Sequence, residues 1–355
     1  MGDEPKDTMR SRGEENRAKL WLLLEANRWI VAVIIVLVFF LGTLAVASVV
    51  PNRVLISVDD PVETLFQALV TATITSVTLV VSINSLVLSQ ELGALGDQRD
   101  RMEGAMSFRR EVEGELGIDV APATPAAFLR TLVVAAEERA EALSSTIDSA
   151  GAEVARTIPE ETERVREYAD ELRRHASSVE SDLQDREFGT FDVLSAALNF
   201  NYSWKIHEGR RLRAAFDEGS ADRGSDDPDT SVAAALDDII SVLTLFGPAR
   251  EHVKTLYFQW ELVNLSRAML YSAVPALIVA TNVLLFHGVL QAVSGWTLGI
   301  AHYVWIVALT AAVSLAPFAI LFSFVLRIGT VAKRTLSIGP FILRTTESDQ
   351  SDEND

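Results

Sequence analysis

Six hydroxyl residues in an uncharged run are the side chains of this chain best spaced to do chemistry. Thr71, Thr75, Thr78, Ser82, Ser85 and Ser89 recur at alternating steps of four and three between Leu65 and Gln90, and Ala68 and Thr64 continue the register backward. On a helix this spacing puts all eight positions on one face. Neutral hydroxyls in such a row would coordinate a passing ion weakly without trapping it, as a pore wall does. The same row would also let another helix approach closely, each hydroxyl bonding back to its own backbone. A pore lined by this face needs several copies of the chain around an axis, whereas close packing needs only one neighbouring helix.

Other reactive residue types are poorly placed for catalysis. The five histidines, His175, His207, His252, His287 and His302, include no i,i+4 pair around a glutamate, so the zinc-protease pattern is missing. Asp222, Asp226, Asp227 and Asp229 lack calcium-loop spacing and a closing glutamate, and Pro228 interrupts them. Glu160, Glu161 and Glu163 read as a hydrated helix face. There is no phosphate loop, dinucleotide glycine fingerprint or GxSxG elbow. The chain has no cysteine, which excludes disulfides, thiolate metal sites and cysteine nucleophiles. No catalytic residue, metal site or cofactor is therefore assigned, and the expected role is non-enzymatic.

The elements that must carry the hydroxyl row are membrane spans. The 355 residues are 49% hydrophobic yet carry a formal charge of −18, so apolar and acidic segments are segregated along the chain. Four apolar runs are long enough to cross a bilayer: residues 29–50, 65–90, 266–290 and 303–326. The first is too long for the core of a cleaved signal. Pro275 and Pro317 lie inside the last two, which neighbouring helices tolerate in lipid. Within the spans, Gln67, Asn84, Asn282 and His287 are the polar residues of interest. Helix–helix hydrogen bonding, worth about 0.6 kcal/mol on average, is the ordinary explanation for each. No Asp, Glu, Lys or Arg falls deep in a span, which argues against a proton pump or ion-coupled transporter.

Basic residues set the expected orientation. Residues 1–28 carry Lys6, Arg10, Arg12, Arg17, Lys19 and Arg28, and Arg99, Arg101, Arg109 and Arg110 follow the second span. Arg250, Lys254 and Arg267 precede the third, and Arg327, Lys333 and Arg334 follow the fourth. The loop 51–64 has only Arg53, and the loop 291–302 has neither Lys nor Arg. The expectation is a multi-pass protein of the cell membrane with both termini and the large segment 91–265 in the cytoplasm. Trp21, Trp29, Tyr257 and Trp260 suit the inner headgroup level, and Trp296, Tyr303 and Trp305 the outer.

Segment 91–265 reads as helical. Thr124 caps a helix with Pro125 at its first position, and Phe128, Leu132, Ala136, Leu143 and Ile147 line one face. A second helix from Ala152 to about Asp185 carries Val154, Ile158, Val165, Leu172, Val179 and Leu183, with Glu160–Arg164 and Asp170–Arg174 at i,i+4 on its other face. Only Asp148 to Gly151 separates the two, so an antiparallel hairpin is expected. Glu161 and His175 interrupt a strict heptad, which favours packing within a bundle over a coiled-coil oligomer. A third helix covers Thr190 to Phe216, and residues 219–230 form a loop. A fourth runs from Ser231 to Phe246 and stops at Gly247-Pro248. From Pro248 another helix runs unbroken into the third span. It would act as a lever between the cytoplasmic segment and the membrane. Residues 327–355 include an acidic tail.

Only Lys6, Lys19, Lys205, Lys254 and Lys333 are lysine among 31 basic residues, against 49 Asp and Glu. This bias resembles proteins of salt-loving archaea, and at sequence level the chain looks like an uncharacterised four-span membrane protein of that group. Screening there has a range of only about 3 Å at 1 M salt. Nucleic acid is therefore not an expected partner. A short N-terminal segment, two spans, a helical insert, two more spans and a tail also look like the layout of bestrophin-type anion channels, pentamers whose second span lines the pore. Val77, Val80 and Val81 stand mid-span where that family has an aromatic neck, so no residue carries over.

The fold expected is thus all-α: a four-transmembrane-helix integral membrane protein with a helical cytoplasmic domain inserted between spans 2 and 3. Two roles follow from it. One is a channel-like homo-oligomer with the hydroxyl face at its axis. The other is a membrane-anchored sensor or scaffold that meets a cytoplasmic protein through the insert. The lipid bilayer is a partner in both.

Overall fold

The computed structural model describes residues 26–49, 61–157, 159–184, 186, 191–220 and 228–335. Trp21, most of the loop 51–64, Ile158, the Asp222, Asp226 and Asp227 positions and the acidic tail lie outside them, as do the side chains of Val154 and Asp229. The chain forms two compact units, one built on Leu95–Tyr257 and the other on Asn16–Ala94 with Phe258–Val331. Among the described residues the architecture is all-α, with one short β-hairpin. In chain order the helices are α1 (Arg28–Val49), α2 (Pro61–Glu91), α3 (Leu95–Leu116), α4 (Pro125–Thr157), α5 (Pro159–Leu183), α6 (Phe191–Asn199), α7 (Tyr202–Ser220), α8 (Pro228–Gln291) and α9 (His302–Thr335).

The Leu95–Tyr257 unit is organised by the α4–α5 pair. Leu129, Val133, Ala136, Ala140, Leu143 and Ile147 on α4, and Val165, Ala169, Leu172, Ala176, Val179 and Leu183 on α5, are all buried in one cluster. Both rows step by four and three, and the alanines let the helices approach closely. Arg130 pairs with Glu180 at 2.6 Å and Arg166 with Asp148 at 3.0 Å, fixing the antiparallel sense at both ends. The expected loop at Asp148–Gly151 is instead helix. α4 continues to Thr157 and α5 starts at Pro159, where a proline is suited to the first helical position. The ion pairs also differ from those anticipated. Arg164 reaches Glu208 on α7 at 3.4 Å, and Asp170 lies 3.6 Å from Arg173. His175, the expected heptad break, packs its ring 5.4 Å from Phe200.

Three further departures have local causes. The segment 91–124, to which no helix was assigned, contains α3. That helix stops where Gly117 turns left-handed (φ +65°) and Ile118 N–H donates to Glu113 O at 3.1 Å. The helix expected over Thr190–Phe216 is broken at Phe200 and Asn201. Phe200 is fully buried, and Asn201 holds the capping position ahead of α7. Finally, α8 runs through Gly247-Pro248. Leu245, Phe246, Ala249 and Arg250 are buried on either side, and a Cβ at Gly247 would come within 3.0 Å of the Tyr202 ring. Close packing there outweighs the local helix-breaking tendency. Arg250, fully buried, stacks 4.7 Å over that same ring.

The second unit contains α1, α2, the rest of α8, the hairpin and α9. Its two clusters join Leu44, Phe66, Ala280, Val304 and Ala308 in one and Ala32, Val80, Met269, Ala319 and Phe324 in the other. Small residues dominate the α8 and α9 contact faces, as expected where helices associate by close packing. Gly295, Trp296–Thr297 and Ile300–Ala301 form the hairpin, with Trp296 opposite Ala301 and Thr297 opposite Ile300.

Two outcomes test the first unit. Leu172→Ala, at a fully buried position, should cost about 2–5 kcal/mol of unfolding free energy in denaturant titrations. Glu251 sits between Lys254 and Arg250. Partial burial opposes its charge, but hydrogen bonds from Lys254 and Arg250 outweigh burial and hold the carboxyl below its ordinary range. A lowered folded value means the stabilisation is present above the unfolded pKa and lost as pH falls through the folded one. The stability difference between wild type and Glu251→Gln should therefore be seen at neutral pH and shrink as pH drops below the carboxylate range.

Candidate functional site

Helix α2 has two opposite faces. Val62, Phe66, Leu69, Thr73, Ser76 and Val80 are buried at steps of four and three. Half a helical turn away, Thr71, Thr75, Thr78, Ser82, Ser85 and Ser89 are all exposed, as are Thr64 and Ala68. The buried face carries polar groups as well, and Thr73 satisfies its hydroxyl by donating to Leu69 O at 2.8 Å. On the exposed face Thr71 donates to Gln67 O, Thr78 to Ile74 O, Ser82 to Thr78 O and Ser89 to Leu86 O, at 2.7–2.9 Å. These bonds leave each hydroxyl oxygen's lone pairs facing outward. The face can therefore accept hydrogen bonds or coordinate a cation weakly. It holds no charge that would bind an ion tightly.

The four other polar residues are dispersed. Gln67 is exposed and donates to Glu63 Oε1 at 3.1 Å, within its own helix. Asn282 is exposed and donates to Ile278 O at 2.8 Å. Asn84 is half-buried and lines a cleft between α2 and α8 with Val80, Ser85, Ser266 and Met269. Only His287 makes a bond between helices, its Nε2 lying 2.7 Å from the Tyr303 hydroxyl on α9. Phe286, just before it, leaves helical geometry (φ −111°, ψ 17°) and bends α8 at that level.

The most heavily buried charges of the second unit were not singled out in the sequence. Glu261 is fully buried on α8 and pairs with Arg28 at the start of α1. The Arg28 guanidinium lies 5.0 Å over the Phe324 ring of α9. Arg327, 6% exposed, donates to Ala26 O at 3.1 Å. Three helices thus meet through one ion pair, one cation–π contact and one charged hydrogen bond. In sequence these residues look like ordinary flanking charges. The available signal was Glu261 itself, an acid set among Trp260, Leu262 and Val263, where the surface charge is otherwise basic.

Among the described residues, no group of three His, Asp or Glu is placed to hold a metal ion. Glu163 is engaged by Arg166 at 3.2 Å. Four helices among the described residues are long and apolar enough to cross a membrane: Arg28–Val49, Pro61–Ser89, Ser231–Gln291 and His302–Ala332. An all-α chain with four such helices is the class that fold and site define. Within that class, the chain belongs to DUF7972, a family of unknown function whose model matches residues 1–355. No curated protein and no solved structure matches it. The likeness to bestrophin-type channels therefore rests on segment order alone, and the likeness to salt-loving archaeal proteins on composition alone.

Removing one partner of a buried ion pair strands the other. Arg28→Met, which takes the guanidinium from the fully buried Glu261 carboxylate, should therefore lower unfolding free energy in detergent by roughly 3–5 kcal/mol. The Arg28→Met/Glu261→Met double variant should recover most of that loss. Denaturant titration followed by tryptophan fluorescence measures both.

Proposed function

We propose that this chain is a multi-pass membrane protein that works as a homo-oligomer, with the Thr71–Ser89 hydroxyl face of α2 turned toward the axis as a neutral, weakly coordinating path for small ions. The role is non-enzymatic. One observation carries the reading. The hydroxyl face lies opposite the face by which α2 packs in its own subunit, so it is available to other copies or to water. Six hydroxyls pointing at hydrocarbon would gain nothing there, whereas at an axis they replace part of an ion's hydration.

The absence of cysteine makes the test direct. Single Thr75→Cys and Thr78→Cys substitutions in the otherwise native chain should react with a charged, membrane-impermeant thiol reagent in reconstituted protein. A Val38→Cys control, on the exposed face of α1, should stay protected by lipid. Protection of Thr75→Cys and Thr78→Cys, or a monomer by mass measurement in lipid nanodiscs, would overturn the reading.

A second reading is favoured by the Leu95–Tyr257 unit, whose core runs from Val112 to Val253 and draws on α8 only through its Val232–Val253 part. A self-contained helical body of this kind supports a sensor or scaffold that binds a cytoplasmic protein. It predicts that residues 95–257 expressed alone unfold cooperatively on heating. A non-cooperative melt would remove the support for that role.

A further inference from the structure

The hairpin between α8 and α9 has features that a connection in water does not need. Leu298 and Gly299 form its two-residue turn, with φ of 54° and 77°. Positive φ at both central positions is the type I′ turn that matches strand twist, and its usual residues are Asn and Gly. Leucine enters that left-handed region at a cost that Asn or Gly would largely avoid. That side chain is 84% exposed.

The rest of the hairpin holds the tip rigidly. His302 N–H donates to Gly295 O at 2.9 Å, and the His302 Nε2 lies 2.8 Å from the Thr297 hydroxyl. Trp305 donates its indole N–H to Thr297 O at 3.3 Å. A Cβ on Gly295 would lie 2.5 Å from the His302 ring, so the glycine permits this close approach. Ile300 on one face of the hairpin is buried, while Trp296 on the other is 65% exposed. The fold thus places Leu298 in a strained conformation and ties Gly295, Thr297, His302 and Trp305 together while one tryptophan and one leucine face outward.

Charge supplies the second line of argument. No Asp, Glu, Lys or Arg occurs from Ala268 through Leu326, hairpin included. Residues 219–230, which read as a loop in the sequence, carry four Asp, whereas the hairpin carries no charge. An uncharged, tryptophan-bearing connection between two apolar helices matches the headgroup–acyl boundary of a bilayer, where an amphipathic ring and an aliphatic chain are both accommodated. We propose that the Gly295–Ala301 hairpin is a membrane-interface anchor that inserts Trp296 and Leu298 into the lipid surface at that end of α8 and α9. The proposal rests on the membrane reading above and is independent of whether the protein conducts.

The test uses full-length protein carrying a polarity-sensitive fluorophore on one introduced cysteine, reconstituted in phosphatidylcholine vesicles. Leu298→Cys reports the hairpin, Val38→Cys the exposed middle of α1, and Ser181→Cys the exposed surface of α5. Leu298→Cys should emit to the blue of Ser181→Cys. It should be quenched by nitroxide near the lipid headgroup and spared by aqueous iodide. Iodide quenching as strong as at Ser181→Cys, with Val38→Cys still quenched by deep lipid nitroxide, overturns the anchor and leaves the membrane reading standing. Protection of Leu298→Cys from both quenchers places another protein surface over the hairpin and overturns it too. A Val38→Cys label that lipid nitroxide cannot reach overturns both.

Discussion

In hydrocarbon, bringing two apolar helices together removes no apolar surface from water, so a bundle of spans must hold itself by close packing and polar contacts. The contacts within the second unit are of these two kinds. Ala273, Ala276, Ala280, Ala308, Ala311, Ala312 and Ala319 are buried where its helices meet. Buried hydroxyls on Thr73, Ser314 and Ser323 bond to their own helices and so add no unsatisfied group. The Arg28–Glu261 pair then joins α1 to α8 at a place where a lone charge would be costly. The outward face of α2 is distinguished against that background, because its polar groups do no packing against the chain's other helices.

The first unit obeys the opposite rule. There, burial itself drives association, and side chains such as Leu132, Leu172, Phe200 and Phe246 supply apolar surface to remove from water. Polar contacts mainly set direction: Arg130–Glu180 and Arg166–Asp148 choose one antiparallel register for α4 and α5. Tyr168 shows how the two kinds of contact combine. Its ring is buried, its hydroxyl donates to Lys205 O at 3.0 Å, and burial together with nearby Glu208 and Glu171 pushes its ionisation well above the ordinary range. Gly209 makes room for that hydroxyl, which a Cβ would meet at 3.0 Å.

Long-period patterns were legible in the sequence, and their interruptions were not. Four apolar runs, the proline start of α4 and the heptad-like faces of α4 and α5 follow from composition and spacing, and each has a counterpart in the structure. The break at Phe200-Asn201 and the continuity of α8 through Pro248 depend on partners far along the chain, such as Tyr202 packing on Gly247. The spacing of the hydroxyls was equally plain, but spacing alone says nothing of which way a face turns. That required knowing that Val62, Phe66 and Val80 occupy the packed side. Glu261 was harder still, because its burial depends on Arg28, 233 residues away.

That separation has a temporal side. Arg28 leaves the ribosome 233 residues before its carboxylate, and Ala26 precedes Arg327 by 301. At roughly 5–20 residues per second, α1 waits on the order of ten seconds to a minute for the contacts that hold its first turn. The α4–α5 hairpin needs only neighbours 18 to 50 positions apart and can form within that interval. The start of α1 is therefore among the last parts of the molecule to be closed, although it is among the first to be made.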